Sequence, residues 1–174
     1  DPFAALAFIF FFVSVGILLF SIYLKQSIFI KKRYLIESMF SGILFHGLYL
    51  GGVFYSISIG MPTSLAALIV TLQPILTNIL SGPLLNEKVK LQQWVGVLLG
   101  FVGASLVLGI DVGSGIPLLG LIATLIALLS ITFSTIWQKK LSNNLPLSVS
   151  NFYQALGGCL FHLLIIIFFI EPYI

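Results

Sequence analysis

The chain has 174 residues, of which 59% are hydrophobic and 7% are charged, whereas an average soluble domain is about 25% charged. A soluble fold of this length could not hide so much apolar surface from water, so the composition predicts a protein that lipid surrounds. The net charge of +3 comes with no basic face and no interleaved aromatic residues, which argues against a nucleic-acid partner.

Six apolar runs are long enough to cross a bilayer, which takes about 20 residues. The runs are continuous rather than alternating, so the sequence predicts an all-α, polytopic transmembrane helix bundle and not a β-barrel. Proline stands at the start of several runs, where its missing N–H costs no hydrogen bond. The predicted spans are residues 3–24, 38–59, 62–85, 91–110, 116–138 and 147–170.

The basic residues form three short clusters, which occupy every second gap between the apolar runs. Positively charged loops stay on the cytoplasmic side of a membrane, so this alternation predicts the direction of each helix. We expect the loops at 25–37, 86–90 and 139–146 in the cytoplasm, and the turns near residues 60 and 113 outside. The expected location is the inner, cytoplasmic membrane of a bacterium, with membrane lipid as a partner.

A short internal repeat relates two distant segments. Residues 1–8, DPFAALAF, resemble residues 145–152, LPLSVSNF, with proline second and phenylalanine eighth in both. Because five predicted helices separate the two copies, their orientations in the membrane are opposite. Inverted repeats of this kind are typical of secondary transporters.

Three segments carry a resemblance to a known family. Residues 56–77, SISIGMPTSLAALIVTLQPILT, resemble the third-to-fourth helix segment of EamA-type transporters in the drug/metabolite transporter superfamily. Residues 84–104, LLNEKVKLQQWVGVLLGFVGA, resemble the junction that follows, and residues 123–169 are similar to helices six and seven. The resemblance implies ten helices in two inverted repeats of five, of which this chain would hold helices two to seven.

That comparison also implies how the chain is organised. Residues 1–113 would form the first repeat without its first helix, and residues 114–174 the first two helices of the second, inverted repeat. We therefore expect a segment of a larger protein, whose missing helices would be partners of those present, and a homo-oligomer is a further possible assembly. Many family members carry an arginine early in helix two, but this chain is apolar around Ile9.

Polar residues recur on one face of several predicted spans, and polar stripes in lipid face a bundle interior or a cavity. We expect spans two and three to line a substrate cavity, although a single serine or threonine can also bond to its own helix. Span two carries Gly42, Tyr49 and Ser56 at intervals of seven residues, and span five carries Ser130, Ser134 and Trp137. The expected substrate-binding residues are His46, Tyr49, Gln73, Thr77, Asn78 and Trp137.

Pro74 lies at mid-membrane and cannot donate to the Val70 carbonyl, which predicts a kink. The kink is either a hinge for transport or static packing. Glu87 stands beside Lys88 and Lys90. The resemblance suggests a gate or loop tether there, and the alternative is a solvated charge at the membrane surface.

His46 and His162 are the ionisable side chains deep in the predicted spans, so a histidine would carry any intramembrane proton coupling. A neutral, hydrogen-bonded histidine is the alternative. Two glycine-rich ridges, Gly47-x-x-x-Gly51 and the series Gly96, Gly100 and Gly103, are expected to pack helices closely.

The sequence predicts a secondary transporter that exports a small organic molecule by alternating access. We expect a neutral, zwitterionic or aromatic substrate, because no fixed charge falls among the chosen residues. The alternative is a non-transporting membrane scaffold or receptor, which needs no wet cavity. No metal-ligand cluster, nucleophile motif or phosphate loop occurs, so we expect no enzyme activity, cofactor or metal.

Overall fold

The computed structural model describes residues 1–85, 89–108, 115–142 and 144–169. Within these ranges the chain is helical and contains no strand, which confirms the predicted helix bundle. Five of the helices are long and apolar enough to cross a membrane, and the other, the fourth, has a shorter apolar stretch, Leu91–Leu106. The helices are α1 (Pro2–Tyr23), α2 (Lys32–Ser58), α3 (Thr63–Leu85), α4 (Leu91–Leu108), α5 (Leu118–Ser142) and α6 (Leu147–Phe169).

Two of the helix boundaries differ from the predicted ones for electrostatic reasons. α2 begins at Lys32 rather than at residue 38, and Arg33 donates a 2.8 Å hydrogen bond to Glu37 one turn later. Opposite charges at this spacing support a helical turn. α5 continues to Ser142 rather than ending at residue 138, since lysine side chains near a helix C-terminus interact favourably with its last carbonyls.

The described residues of the three basic clusters lie at one end of the bundle, which we call the basic end. Gln26, after the first helix, is hydrogen-bonded to Ser148 at the start of α6. Val89, just before α4, lines the same cavity as Lys139 near the end of α5. The contacts thus bring together segments that the alternating charges predicted to share one side of the membrane.

The opposite end contains the turn between α2 and α3 and the helix ends beside it. Gly60 turns the chain between α2 and α3 with a φ of +97°, a conformation that glycine adopts without a steric penalty. Met61 then packs against Gly120 at the start of α5. The ring of Phe3, at the start of α1, lies 6.3 Å from that of Tyr55, near the end of α2. Successive helices therefore run in alternating directions, as predicted.

The best-packed part of the bundle is the contact of α6 with α1 and α2. Leu6 and Phe10 of α1 are buried against Ala155 and Cys159 of α6, and Leu50 of α2 packs on this cluster. The Cys159 thiol donates to the carbonyl of Ala7 at 3.5 Å, so it serves as a small buried residue within the packing.

Glycines let α2 and α6 approach until their backbones touch. A Cβ added at Gly42 would overlap the backbone of Gln154, and one added at Gly157 would lie 2.6 Å from the carbonyl oxygen of Met39. The ridge at Gly47 also packs closely, because its added Cβ would lie 2.7 Å from the ring of Phe161. The predicted packing role of the α2 glycines is therefore confirmed.

The glycine ridge of α4 behaves differently. A Cβ added at Gly96, Gly100 or Gly103 would meet nothing within 4 Å. The expectation that this ridge packs against another helix is wrong for the described residues. The sequence pattern alone could not show this, because small residues allow a close approach without supplying the partner that makes it.

Buried hydroxyl groups link α2 to its neighbours in the half nearer the basic end. Ser41 and Ser134 of α5 lie 3.0 Å apart through their hydroxyl oxygens, and Ser134 donates to the Ser41 carbonyl at 2.9 Å. Ser38 of α2 and Ser150 of α6 lie 3.5 Å apart through their hydroxyl oxygens. Interhelical bonds of this kind fix helix positions where apolar burial gives little preference.

Candidate functional site

α3 is broken near its middle, where Pro74 predicted a kink. Its first helical segment ends at Val70 and its second begins at Gln73. Pro74 has no N–H to offer the Val70 carbonyl, so a continuous helix would leave that carbonyl unpaired and in contact with the proline ring.

The two residues of the break, Thr71 and Leu72, rearrange the hydrogen bonds locally. The Leu72 N–H turns to the carbonyl of Ile69 at 3.1 Å, which is a tighter turn than an α-helix makes. The Thr71 hydroxyl donates to the Leu68 carbonyl at 2.7 Å. The side chain thus replaces the backbone donor that Leu68 would have in a regular helix.

Beside the break lies a cavity of about 520 Å³, which we call the central cavity. Tyr49 reaches it from α2, and Gln73 and Pro74 line it from α3. Gly96 and Gly100 of the open ridge form its α4 wall. The full lining is Tyr49, Val70, Thr71, Gln73, Pro74, Gly96, Val97, Gly100, Phe101, Ala104 and Ile131.

A second cavity of about 320 Å³ opens between α3, the start of α4 and α5. We call it the basic-end cavity. Two predicted site residues, Thr77 and Asn78, line it. Its full lining is Thr77, Asn78, Ser81, Leu85, Val89, Gln93, Thr135, Ile136 and Lys139.

One hydrogen bond joins the linings of these two cavities. The Gln73 side-chain amide, which lines the central cavity, donates to the hydroxyl of Thr135, which lines the basic-end cavity, at 3.2 Å. The carbonyl of Gln73 accepts a 2.8 Å bond from the Thr77 hydroxyl. Gln73 is therefore held on both its side chain and its backbone where the cavities adjoin.

A third cavity, of about 260 Å³, places His46 away from the other predicted residues. Its polar lining comes from Gln138 of α5 and from Asn151 and Gln154 of α6, and the Gln138 amide donates to Asn151 at 3.3 Å. Its remaining lining is Val13, Ile17, Phe45 and Ala155. Five of the six predicted substrate-binding residues thus divide among three cavities.

The two histidines are neighbours in the helix core. The Nε2 of His162 lies 2.9 Å from the carbonyl oxygen of His46, and since a carbonyl only accepts, Nε2 carries the hydrogen. The ring of Phe10 lies 4.3 Å from that of His46 and 6.1 Å from that of His162. Both Nδ1 atoms are buried without a hydrogen-bond partner among the described residues.

Trp137 lies apart from these cavity linings. Its side chain is 39% exposed and packs edge-on against Phe40, with ring centroids 5.7 Å apart. The residue two positions earlier, Thr135, faces the basic-end cavity instead. Ser130, Ser134 and Trp137 were predicted to share the cavity face of α5. The face of α5 that contacts α3 is instead the one that carries Thr135.

Gly42, Tyr49 and Ser56 are seven residues apart in sequence but do not lie on one face of α2. The reason is a π-helical stretch between them, Ile43–Leu50. Its turns are wider than those of an α-helix, so the residues before and after it are out of register. Gly42 touches Gln154 of α6, Tyr49 faces the central cavity, and the carbonyl of Ser56 lies against Gly120 of α5.

Lys139 was not among the predicted site residues, although it lines the basic-end cavity. The chosen residues carry no fixed charge, but Lys139 adds one to the lining of this cavity. α5 runs one turn further than predicted, and this places Lys139 on the helix, one turn after Thr135. An i, i+4 search from Thr135 would have found the lysine.

The remaining predictions about the site concern Glu87 and metals. Glu87 lies outside the described residues. Within the described ranges there is no group of three or more His, Cys, Asp or Glu side chains that could hold a metal ion.

Comparison with known proteins decides the family. The EamA-like transporter family matches residues 1–109, which is more than half of the chain. The chain belongs to the EamA-like transporter family. It is therefore a multi-pass integral membrane protein.

A protein similar to this chain occurs in Bacillus subtilis (strain 168) under the name "Uncharacterized transporter YvbV". The two sequences are 29% identical over 107 residues, which cover 62% of this chain and 33% of the relative. The chain thus aligns with about a third of that protein's length. No solved structure matches the chain significantly.

Proposed function

We propose that the protein exports small organic solutes by alternating access, through the central and basic-end cavities. The observation that carries the proposal is the position of the α3 break. Thr71, at the break, lines the central cavity, and Thr77 of the following helical segment lines the basic-end cavity. A change of angle between the two segments of α3 would alter both cavities together.

In this proposal Pro74 is the hinge residue, because it keeps the backbone of α3 from forming a continuous helix. Tyr49, Gln73, Thr77 and Asn78 contact the solute. His46 belongs to the third cavity, of about 260 Å³, which we call the histidine-lined cavity, and Trp137 belongs to the surface beside Phe40. Their contribution to binding would therefore be indirect.

The solute meets groups able to hydrogen-bond at either cavity, and the wall of the central cavity is otherwise mostly apolar. This pattern favours a small molecule with an apolar body and few polar groups. EamA-like transporters are in general not enzymes, and we propose the same for this chain. We also propose that it resides in the cytoplasmic membrane of a bacterium, with the basic end in the cytoplasm.

Solvent access to the two cavities separates a transporter from a scaffold or receptor. We would introduce Tyr49→Cys or Thr77→Cys into a Cys159→Ala background and react the purified protein with a charged maleimide. Both positions should react, because both line a cavity. Ile79→Cys is a matched control, since Ile79 is 52% exposed on the outer surface of α3 and should be covered by lipid or detergent.

Flux provides the direct test. Proteoliposomes loaded with tritiated phenylalanine, leucine or glutamine should release at least one of these solutes faster than liposomes without protein. Absence of reaction at positions 49 and 77, together with absence of flux for any solute in a broader metabolite panel, would favour the scaffold.

A further inference from the structure

An unpaired amide points to a specific ligand in the basic-end cavity. The side-chain nitrogen of Asn78 is buried and has no hydrogen-bond partner among the described residues. Asn78 also lines the basic-end cavity. A buried amide nitrogen without a partner is unfavourable, so a group that enters this cavity and accepts a hydrogen bond would be bound preferentially.

The hydroxyl groups around Asn78 have already used their hydrogens. The Thr77 hydroxyl donates to the backbone carbonyl of Gln73 at 2.8 Å, and the Ser81 hydroxyl donates to the backbone carbonyl of Asn78 at 3.0 Å. The Thr135 hydroxyl donates to the Ile131 carbonyl at 2.7 Å. None of these three bonds leaves a hydrogen for a ligand, because a hydroxyl has only one.

The other donor groups of the lining are an amide and an ammonium. The Gln93 side-chain oxygen accepts a 2.8 Å bond from the Lys90 N–H, which assigns its NH₂ group as a donor. Lys139 adds an ammonium group to the lining. Nitrogen donors from Asn78, Gln93 and Lys139 thus come from three different segments, and their common complement is an oxygen acceptor.

We propose that the basic-end cavity binds the carboxylate or carboxamide oxygen of the transported solute, with Asn78 as the principal donor. This inference rests on the proposed transport function and names the chemical class of its substrate. The cavity volume of about 320 Å³ suits the polar end of a small molecule. The apolar part of such a solute would lie towards the central cavity beyond Gln73.

Three fluorinated probes with the same ring would test the assignment by ¹⁹F NMR on the purified protein in detergent. 4-Fluorobenzoate carries a carboxylate, 4-fluorobenzamide a neutral carboxamide, and 4-fluorobenzylamine a cation without an acceptor oxygen. Wild-type protein should increase the transverse relaxation of the benzoate or the benzamide. Asn78→Leu, which keeps the volume but removes the donor, should reduce that increase at least twofold.

The controls separate a site effect from general binding to protein or micelle. Asn151→Leu changes an asparagine in the histidine-lined cavity and should leave the relaxation of both oxygen-bearing probes as in wild type. The benzylamine should respond equally to all variants. If Asn78→Leu does not elute as a single species, Asn78→Ala serves instead, since it also removes the NH₂ donor and adds no charge.

The two oxygen-bearing probes distinguish the sources of the ligand oxygen. If Asn78→Leu lowers the relaxation of the benzoate alone, the ligand group is a carboxylate. If it lowers the relaxation of the benzamide alone, the ligand group is a carboxamide. Equal relaxation with wild type and Asn78→Leu for both probes would overturn the proposal. If the protein nevertheless released a tritiated solute from proteoliposomes, the transport function would stand and only this subsite would be lost.

Discussion

Gln73 donates its side-chain amide hydrogen to the Thr135 hydroxyl across 3.2 Å, and this bond attaches the broken helix α3 to α5. It lies one residue from Pro74 and at the junction of two cavities. Gln73 therefore occupies a position where a conformational change of α3 and the passage of a solute would involve the same side chain.

A double-mutant cycle should detect this bond. Gln73→Leu and Thr135→Val remove its two partners, and their coupling energy should be ~0.6 kcal/mol, the average for interhelical hydrogen bonds in a membrane. Reversible unfolding in mixed SDS micelles would measure the free energy of unfolding of both single variants, the double variant and wild type.

The matched control for that cycle replaces Thr132. Its hydroxyl donates to the Leu128 carbonyl of its own helix at 2.7 Å and so makes no bond to α3. Gln73→Leu and Thr132→Val should therefore be additive. A coupling energy as large as that of the Gln73–Thr135 pair would show that the cycle reports general repacking rather than the hydrogen bond.

Substitution of the glycines at the α2–α6 crossing should destabilise the fold. In Gly157→Ala the new methyl would lie 2.6 Å from the Met39 carbonyl oxygen, and the backbones cannot separate without disturbing their neighbours. Overpacking of this kind costs about 1–3 kcal/mol. We expect a lower midpoint of thermal unfolding in detergent, measured by fluorescence or by loss of the monodisperse peak.

Two other glycines provide the comparison. Gly16→Ala and Gly103→Ala add the same methyl where nothing lies within 4 Å, so their unfolding midpoints should equal or exceed that of wild type. If Gly157→Ala were as stable as these controls, the close backbone contact between α2 and α6 would be incorrect.

Pro74→Ala should separate stability from transport. The new N–H can bond to the Val70 carbonyl and close the break in α3, and proline in a helix interior costs ~3 kcal/mol relative to alanine. The free energy of unfolding should therefore rise by up to this amount, which a thermal melt in detergent would show. Flux should fall, because the hinge is lost. If Pro74→Ala transported at the wild-type rate, the hinge interpretation would be wrong and the break in α3 would be a feature of static packing.

The direction of the helices in the membrane can be measured by labelling from one side. In a Cys159→Ala background, Lys32→Cys should react with an impermeant maleimide only after the cells are opened, because residue 32 is expected in the cytoplasm. Ser58→Cys, at the other end of α2, should react in intact cells. The proposed orientation is refuted if position 32 reacts from outside.

The sequence allowed the helices and their alternating directions to be predicted because both depend on large free energies of transfer. An apolar run of twenty residues and a cluster of lysines each favour one environment strongly. Helix ends were less certain, as at Lys32, because a single pair such as Arg33–Glu37 contributes only a few tenths of a kcal/mol.

The site was harder to predict because it depends on which faces meet. On α3, the predicted residues Gln73, Thr77 and Asn78 all line cavities beside the break. On α5 the polar pattern led to Trp137, whereas Thr135 makes the contact with α3. A polar stripe shows that a helix has a preferred face without showing which neighbour will cover it.

The π-helical stretch of α2 and the open glycine ridge of α4 could not be predicted from the sequence for a similar reason. Neither has a local sequence rule of sufficient strength, because both depend on how neighbouring helices settle against each other. Gly96 and Gly100 line a cavity rather than a helix contact. A single sequence contains the small side chains but not the distance to the next helix.

The open glycine ridge of α4 also determines how the protein should respond to compression. Pressure favours states that pack into a smaller volume, and the packing beside α4, where the cavity of about 520 Å³ opens outwards, is looser than at the crossing of α2 and α6. The crossing of α2 and α6 has no room for a methyl group at Gly157 and should be nearly incompressible. The region around α4 should therefore be more compressible than the contact of α2 with α6. Moderate pressure should move α4 towards α3 before it disturbs the rest of the bundle.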